Sequence, residues 1–174
     1  IQLEHETTEG LTFKTEQDYE DWLIRLTKLP ELISANIELA NLAIEQRITA
    51  PKVLMKRVAR QIKLQLKDDP KTSPFYSIFD NIPDSIDAKF KLDIQQRAQA
   101  VISDQVIPAY EVLDNFFTTV YLPASRESYG ISDLPNGHEW YEYLARWHTT
   151  TDLSPDQIHE IGLSEVARIR NEME

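Results

Sequence analysis

The sequence predicts an all-α protein, a helical bundle of about six helices, from three observations. Apolar residues recur every three or four positions through most of the 174-residue chain, which is the spacing of one helix face. The four glycines and nine prolines fall mostly between these periodic segments, where helices begin and end. No alternating run rich in Val, Ile or Thr is bounded by turn residues on both sides, so no strand is predicted.

Three helices are predicted before Pro70. The first begins at Thr15, whose hydroxyl can cap a helix with Asp18 at its third position. Pro30 is expected to end this helix and to open the second. Residues 49–51 repeat the signal and open a third helix, which ends at residues 68–70. The predicted buried residues are Tyr19, Trp22, Leu23 and Leu26, then Leu32, Asn36, Leu39, Ala40 and Ala43, and finally Leu54, Val58 and Ile62.

Residues 70–84 are predicted to form a loop that packs onto the helices. They contain three prolines, which oppose a long helix, together with Phe75, Tyr76 and Phe79. Aromatic side chains of this size favour burial, so they are expected to anchor the loop.

A long apolar pattern begins after Ser85 and continues to Val120. Pro108 lies inside it, where it removes one backbone donor and clashes with the carbonyl of Asp104. We therefore expect one long helix that is kinked near Pro108. Its predicted buried residues are Ile86, Phe90, Ile94, Ala98, Val101, Ile102, Val112, Leu113, Phe116, Phe117 and Val120.

Two further helices follow a loop at residues 122–137. The first is short and has Tyr141, Leu144 and Ala145 on one side. The second begins at Ser154, with a proline at the next position and Gln157 as the capping partner. Its face is defined by Ile158, Gly162, Val166 and Ile169. Residues 1–174 are thus predicted as a single helical domain or sub-domain.

The composition argues against several classes of function. With 18 basic and 29 acidic residues the net charge is -11, which does not favour nucleic acid as a partner. The absence of cysteine excludes disulfides, thiolate metal sites and cysteine nucleophiles. No apolar run approaches the roughly 20 residues of a transmembrane helix. The first residues are acidic and polar, which is not typical of a signal peptide. Because the chain begins with Ile1 and not with Met, we expect that something upstream has been removed.

Two histidine segments are candidate metal sites. His159 is followed by Glu160, as in the His-Glu-x-x-His zinc motif, but Leu163 occupies the position of the second ligand. His138 and Glu142 lie one helical turn apart and could share a metal, whereas the alternative is a solvated helix start. No third ligand accompanies them, so no metal site is predicted in this chain.

Residues 148–152 form the densest polar cluster, His-Thr-Thr-Thr-Asp. One interpretation is a wall that positions a substrate; the other is a helix end in which the hydroxyls satisfy local backbone groups. The aromatic residues allow a similar choice between a stacking surface and the core, and helical spacing favours the core. These are Trp22, Tyr110, Tyr121, Trp140, Tyr141, Tyr143 and Trp147.

Residues 134–167 resemble a hallmark segment of the DUF885 family of bacterial metallopeptidase-like proteins. The segment contains Thr-Thr-Thr-Asp-Leu followed by Ile-His-Glu-Ile-Gly-Leu. Residues 19–30, 51–54, 106–110 and 121–124 are also similar to the family, so the likeness covers most of the chain.

The resemblance implies an N-terminal fragment of a larger helical peptidase-like fold whose histidine-bearing zinc motif lies downstream. The fragment would then shape a peptide-binding cleft without a catalytic residue, metal or cofactor of its own. Tyr143, Arg146, His148, Thr149 and Thr150 are the expected cleft-lining, substrate-binding residues. Its partners would be the remaining C-terminal part of its own chain and, in the full-length protein, a peptide.

The family also implies a place in the bacterial cell envelope or periplasm as a lipoprotein, with the cytoplasm as the alternative. The last helix stops at Glu174 without a cap, so dimerisation of the isolated fragment through exposed apolar surface is a further expectation. The alternative function is a non-catalytic helical interaction module that docks a protein on an aromatic surface near Phe75 and Phe79.

Overall fold

The computed structural model describes residues 11–174, and it confirms the all-α prediction. No strand occurs in the described residues, and six of their α-helices have ten or more residues. The α-helices are α1 (Glu16–Glu45), α2 (Lys52–Lys63), α3 (Ala88–Val101), α4 (Ile107–Phe116), α5 (Leu122–Ala124), α6 (Gly137–Thr149) and α7 (Pro155–Met173).

The chain divides into two compact units, the first ending at Ser125 and the second comprising Arg126–Glu174. The assignment of residues 1–174 to a single domain or sub-domain stays a prediction.

Helix α1 begins with the predicted capping box. The Asp18 carboxylate accepts the backbone N–H of Thr15 at 2.7 Å, and the Thr15 hydroxyl accepts the backbone N–H of Asp18 at 3.3 Å. Backbone N–H groups of Lys14 and Thr15 lower the pKa of the Asp18 carboxyl, because they bond only its charged form well. The start of the helix is therefore satisfied locally.

The predicted helix break at Pro30 is wrong, because α1 continues through it to Glu45. The proline removes one backbone donor, yet Leu26, Leu29 and Ile33 around it are all buried on the same face. Packing of this continuous face outweighs the local preference. The residues of the buried face also differ from the prediction, since Leu32 and Leu39 were expected to be buried and are exposed.

Helix α2 follows Pro51 as predicted but ends at Lys63, before the predicted end at residues 68–70. Ile62 is buried and Val58 half-buried, in agreement with the apolar pattern. Leu54 was predicted to be buried and is 50% exposed, because the packed side of the helix comprises Met55, Val58, Ala59 and Ile62 instead.

The aromatic anchors of residues 70–84 are confirmed. The segment forms 3-10 helices at Pro70–Thr72 and Pro74–Phe79, in which Phe75, Tyr76 and Phe79 are buried. The Phe79 ring lies 6.1 Å from that of Tyr19 in α1, and the indole N–H of Trp22 donates to the Phe75 carbonyl at 3.4 Å. Because Phe75 and Phe79 are buried, they do not form the exposed docking surface of the alternative function.

The long helix around Pro108 is continuous but irregular. A π-helical segment, Ile102–Val106, joins α3 to α4, and a second one, Phe117–Tyr121, joins α4 to α5. Pro108 is the second residue of α4, so the irregular turn lies directly before it, where the missing donor and the steric clash would act. Val112 and Val120 were predicted to be buried, but both are exposed.

The core of the first unit lies between α1, residues 70–84, which we name the aromatic segment, and the helices α3 and α4. Its most deeply buried members are Tyr19, Phe75, Phe79, Ile94, Ala98, Ile102, Val106 and Tyr110. On the rim of this core, Arg97 of α3 pairs with Glu20 of α1 at 2.6 Å and with Asp93 at 3.2 Å.

Candidate functional site

The candidate site lies in the second unit, and its geometry begins at the start of α6. Gly137 is buried, and a Cβ atom placed on it would lie 2.0 Å from the carbonyl oxygen of Ile131. The preceding Asn136 has φ 57°, in the left-handed region that Asn tolerates better than most residues. These two residues allow the 3-10 helix Ile131–Asp133 to lie directly against the first turn of α6.

The end of α6 is formed by the threonine cluster. Thr150 has φ 55°, and its backbone N–H donates to the Arg146 carbonyl at 2.9 Å. The hydroxyl of Thr149 donates to the Ala145 carbonyl at 2.8 Å and contacts the Thr151 hydroxyl at 2.9 Å. These contacts favour the interpretation of the cluster as a helix end whose hydroxyls bond locally. A β-branched residue at positive φ is nevertheless uncommon, and such strain is concentrated at functional sites.

Helix α7 begins with the second predicted capping box, which is confirmed. The Ser154 backbone N–H donates to the Gln157 side-chain oxygen at 2.8 Å, and the Gln157 backbone N–H donates to the Ser154 hydroxyl at 3.2 Å. This cap fixes the start of α7 shortly after the end of α6, with Pro155 in the first turn.

An open groove of about 420 Å³ lies between α6, the start of α7 and the short 3-10 helix. Its wall is mainly apolar, and His148 and Thr149 supply the polar side chains. The lining residues are Ile131, Tyr141, Leu144, Ala145, His148, Thr149, Pro155 and Ile158. This is the composition of a site that holds an apolar side chain next to a few polar groups.

A second apolar depression, of about 410 Å³, lies on α6 against Trp140, Tyr143 and Leu144. The Tyr143 ring stacks on that of Trp147, with 6.3 Å between their centroids and 29° between their planes. Both rings are exposed. Helix α6 thus presents aromatic and apolar side chains to solvent on more than one side.

The structure brings together two of the five predicted cleft residues. His148 and Thr149 line the groove, whereas Tyr143 borders the depression on α6. Arg146 is exposed in the last turn of α6 and lines neither the groove nor the depression. Thr150 caps the helix, and its hydroxyl donates to the Thr149 carbonyl at 2.7 Å. Their role in substrate binding stays a prediction.

No group of three or more His, Cys, Asp or Glu side chains that could hold a metal occurs within residues 11–174. His138 is exposed in the first turn of α6 with Glu142 one turn later, and His159 is exposed on α7 with Leu163 one turn later. The residues of the described chain therefore do not fit a zinc ion.

Sequence reasoning missed the exposure of the aromatic residues in this unit. Helical spacing favoured the core, but Trp140, Tyr141, Tyr143 and Trp147 are all exposed. It also missed Pro155 and Ile158 as groove residues. The signal was the spacing of Tyr141, Leu144 and Ala145, which predicts one side of the helix and which lines the groove together with His148.

The first unit contains a further apolar groove, of about 320 Å³, between α1, α2 and α4. It is lined by Asn36, Ile37, Leu39, Ala40, Met55, Val58, Leu113, Phe116, Phe117 and Tyr121.

No helix of the described residues is long and apolar enough to cross a lipid bilayer.

Fold and site together define an all-α protein with an open, mainly apolar groove between two helices of its C-terminal unit. The profile of the DUF885 family, described as bacterial proteins of unknown function, matches residues 2–174. The chain belongs to this family, as its resemblance to the hallmark segment indicated.

A solved structure is similar to this chain in fold. The "putative lipoprotein from Colwellia psychrerythraea" is similar to this chain with a TM-score of 0.79 and 28% sequence identity. The similarity covers 93% of this chain and 28% of that one, so the chain spans a little over a quarter of that protein. No curated protein matches the sequence.

Proposed function

We propose that this chain is the N-terminal helical part of a larger, zinc-dependent peptidase-like protein and that it shapes a peptide-binding cleft without a metal of its own. The observation that supports this best is the groove of about 420 Å³ with its apolar wall and its two polar residues, His148 and Thr149. A groove of this kind accommodates one apolar side chain of a peptide, while the polar groups orient its backbone.

The division between a helical part and a separate catalytic part is supported by coverage. The family match extends over residues 2–174, yet the chain spans only 28% of the structural relative. Since residues 11–174 contain no group that fits zinc, the proposal places any metal chemistry in the rest of the protein.

Each predicted cleft residue has a proposed role. The His148 imidazole and the Thr149 side chain would contact the peptide in the groove. Arg146, exposed one turn before the helix end, would pair with a peptide carboxylate, for which a guanidinium has the matching geometry. The exposed Tyr143 ring would add stacking area. The strained Thr150 would hold the end of α6 in place next to the groove.

The cell envelope is the proposed location, with the cytoplasm as the alternative. The support is the name of the structural relative, which describes that protein as a lipoprotein. Fractionation of the native bacterium with an antibody against the chain would decide between the two.

The test uses the full-length protein and two histidines of the second unit. We expect His148→Ala to raise the KM for peptide hydrolysis roughly tenfold, the loss of one polar contact of about 1.4 kcal/mol, while kcat changes little. His159→Ala is the matched control, because His159 is exposed on α7 and does not line the groove.

Zinc content provides the second measurement. The full-length protein is expected to contain stoichiometric zinc by elemental analysis, and residues 1–174 alone to contain none. Tight zinc in residues 1–174, absence of peptide hydrolysis by the zinc-loaded full-length protein, or equal KM values for the two histidine variants would contradict the proposal.

A further inference from the structure

Helix α2 lies in a strongly basic stretch of an acidic protein. Residues 46–67 contain seven of the 18 basic residues of the chain and no Asp or Glu. The rest of the chain therefore has eleven basic residues against 29 acidic ones. Residues 46–67 are thus a concentrated positive segment in a chain that is otherwise acidic.

The basic side chains of α2 face solvent because its opposite side is packed. Met55, Val58, Ala59 and Ile62 lie on the side that contacts the core. Lys56, Arg57, Arg60 and Lys63, which we name the basic face, are all exposed. At 3.6 residues per turn these four side chains project away from the packed side over the length of the helix.

The cations of the basic face are not neutralised within the described chain. No carboxylate of residues 11–174 forms an ion pair with any of the four. Other arginines differ in this respect: Arg97 pairs with Glu20 and Asp93, and Arg168 pairs with Glu165 and Glu172. The basic face thus has its full positive charge available to an external anion.

Apolar side chains share this exposed surface. Val53 and Leu64 lie in one stripe with Arg57 and Arg60, since these positions are separated by three or four residues. Both are about half exposed, as is Leu54 beside them. Guanidinium groups flanked by exposed aliphatic side chains are the pattern of a helix that lies in a lipid headgroup region.

We propose that α2 docks the protein onto the surface of an anionic phospholipid bilayer. The cations of the basic face contact lipid phosphates, while Val53, Leu54 and Leu64 enter the boundary between headgroups and acyl chains. A nucleic acid fits less well, because contacts to its phosphate backbone would leave the exposed aliphatic side chains Val53, Leu54 and Leu64 without a partner. The proposal does not depend on the peptide cleft of the second unit.

The test is co-sedimentation of the protein with vesicles of phosphatidylglycerol and phosphatidylcholine, compared with vesicles of phosphatidylcholine alone. We expect binding only to the anionic vesicles, and weaker binding as the salt concentration rises. The double variant Arg57→Gln with Arg60→Gln should bind roughly 25-fold more weakly, about fivefold for each cation removed.

The matched control removes two exposed cations outside α2. Lys71→Gln with Lys89→Gln changes the net charge equally and should alter binding less than about twofold. Lys56→Gln with Lys63→Gln is a second double variant of the basic face. It replaces the arginine double variant if the latter melts at a lower temperature than the unaltered protein. Val53→Ser with Leu64→Ser should weaken binding several-fold with the salt dependence unchanged.

Three kinds of result would overturn the proposal. The first is equal binding to neutral and anionic vesicles, or equal loss in the control and the basic-face variants. The second is binding to duplex DNA that is tighter than binding to vesicles and is lost in the arginine variant, which would assign α2 to nucleic acid. The third is a salt-sensitive dimer in light scattering that disappears in the same variant without vesicle binding, which would assign the surface to a second copy.

Discussion

One long helix in each of the two units begins with a complete cap, but the units differ in how many side chains their helices bury. In the first unit, Tyr19, Phe79, Ile94 and Ile102 are at most 1% exposed and belong to one core. Among residues 126–174 only Gly137 is buried. Both units nevertheless begin a long helix with a complete capping box. Caps and periodicity therefore determine where helices form, and they do not determine whether a face is covered.

Helix α7 illustrates the difference most clearly. It has apolar residues at helical spacing, yet Ile161, Leu163, Val166 and Ile169 are all about half exposed. In α1, the same kind of spacing produces a buried face, because the aromatic segment and α3 to α4 lie against it. Both helices have apolar residues at helical spacing, but only in α1 do other elements of the same unit lie against that face over much of its length.

The largest expected effect concerns the core of the first unit. Phe79→Ala should lower the free energy of unfolding by about 3–5 kcal/mol, because the ring is fully buried and leaves a cavity. Trp147→Ala is the comparison in the second unit and should cost less than about 1 kcal/mol, since the indole is 67% exposed and loses mainly its stacking on Tyr143. Urea unfolding measures both, and equal losses would show that the contrast between the units is not real.

A smaller effect is expected from two glycines of the second unit. Gly137→Ala should destabilise the start of α6 by about 1–3 kcal/mol, because its Cβ would lie 2.0 Å from a backbone oxygen that has to move. Gly162→Ala should instead stabilise α7 by about 0.5–1 kcal/mol, since nothing lies within 4 Å of its Cβ. Hydrogen exchange of the α6 and α7 amides measures each change, and unchanged exchange in Gly137→Ala would refute the close approach to Ile131.

Relief of the backbone strain at Thr150, at the end of α6, should raise the free energy of unfolding by about 1 kcal/mol. Thr150 has a left-handed backbone that glycine adopts without penalty, so Thr150→Gly should stabilise the helix end. Thr151→Gly is the control, because Thr151 does not have a positive φ, so glycine there relieves no strain, adds freedom to the unfolded chain and removes the contact with the Thr149 hydroxyl. A lower melting temperature for Thr150→Gly than for Thr151→Gly would contradict this account.

Much of the fold was predictable because its signals are local. Thr15, Asp18, Ser154 and Gln157 form their caps from residues three apart, so the helix starts needed no knowledge of the tertiary structure. The break at Pro30 failed for the opposite reason. Whether a proline ends a helix depends on the packing of Leu26, Leu29 and Ile33 against distant residues, and that packing was not visible in the local pattern.

The candidate site was predictable only in part. The groove contains His148 and Thr149, which the resemblance to the family had suggested, together with Tyr141 and Leu144. Pro155 and Ile158 join them only because the turn after Thr150 brings the start of α7 back toward α6. Such a juxtaposition follows from backbone angles at the turn, and a one-dimensional pattern of residue types does not specify them.

The smallest expected effect compares the two capping boxes, whose acceptors differ in chemistry. Asp18 accepts with a carboxylate and Gln157 with an amide, so only the first cap can titrate. The pKa of Asp18 is lowered in the folded state by the backbone N–H groups of Lys14 and Thr15. A lowered folded-state pKa means that the cap adds stability above the ordinary Asp range and loses it as the pH falls through the folded value.

An NMR titration of the backbone amides tests this difference. The Thr15 amide should shift with a midpoint below the ordinary Asp range, whereas the Ser154 amide should not respond over the same interval. Asp18→Asn keeps an acceptor that does not titrate, so it should abolish the Thr15 transition and make the first cap behave like the second. A Thr15 transition that persists in Asp18→Asn would show that another group controls the start of α1.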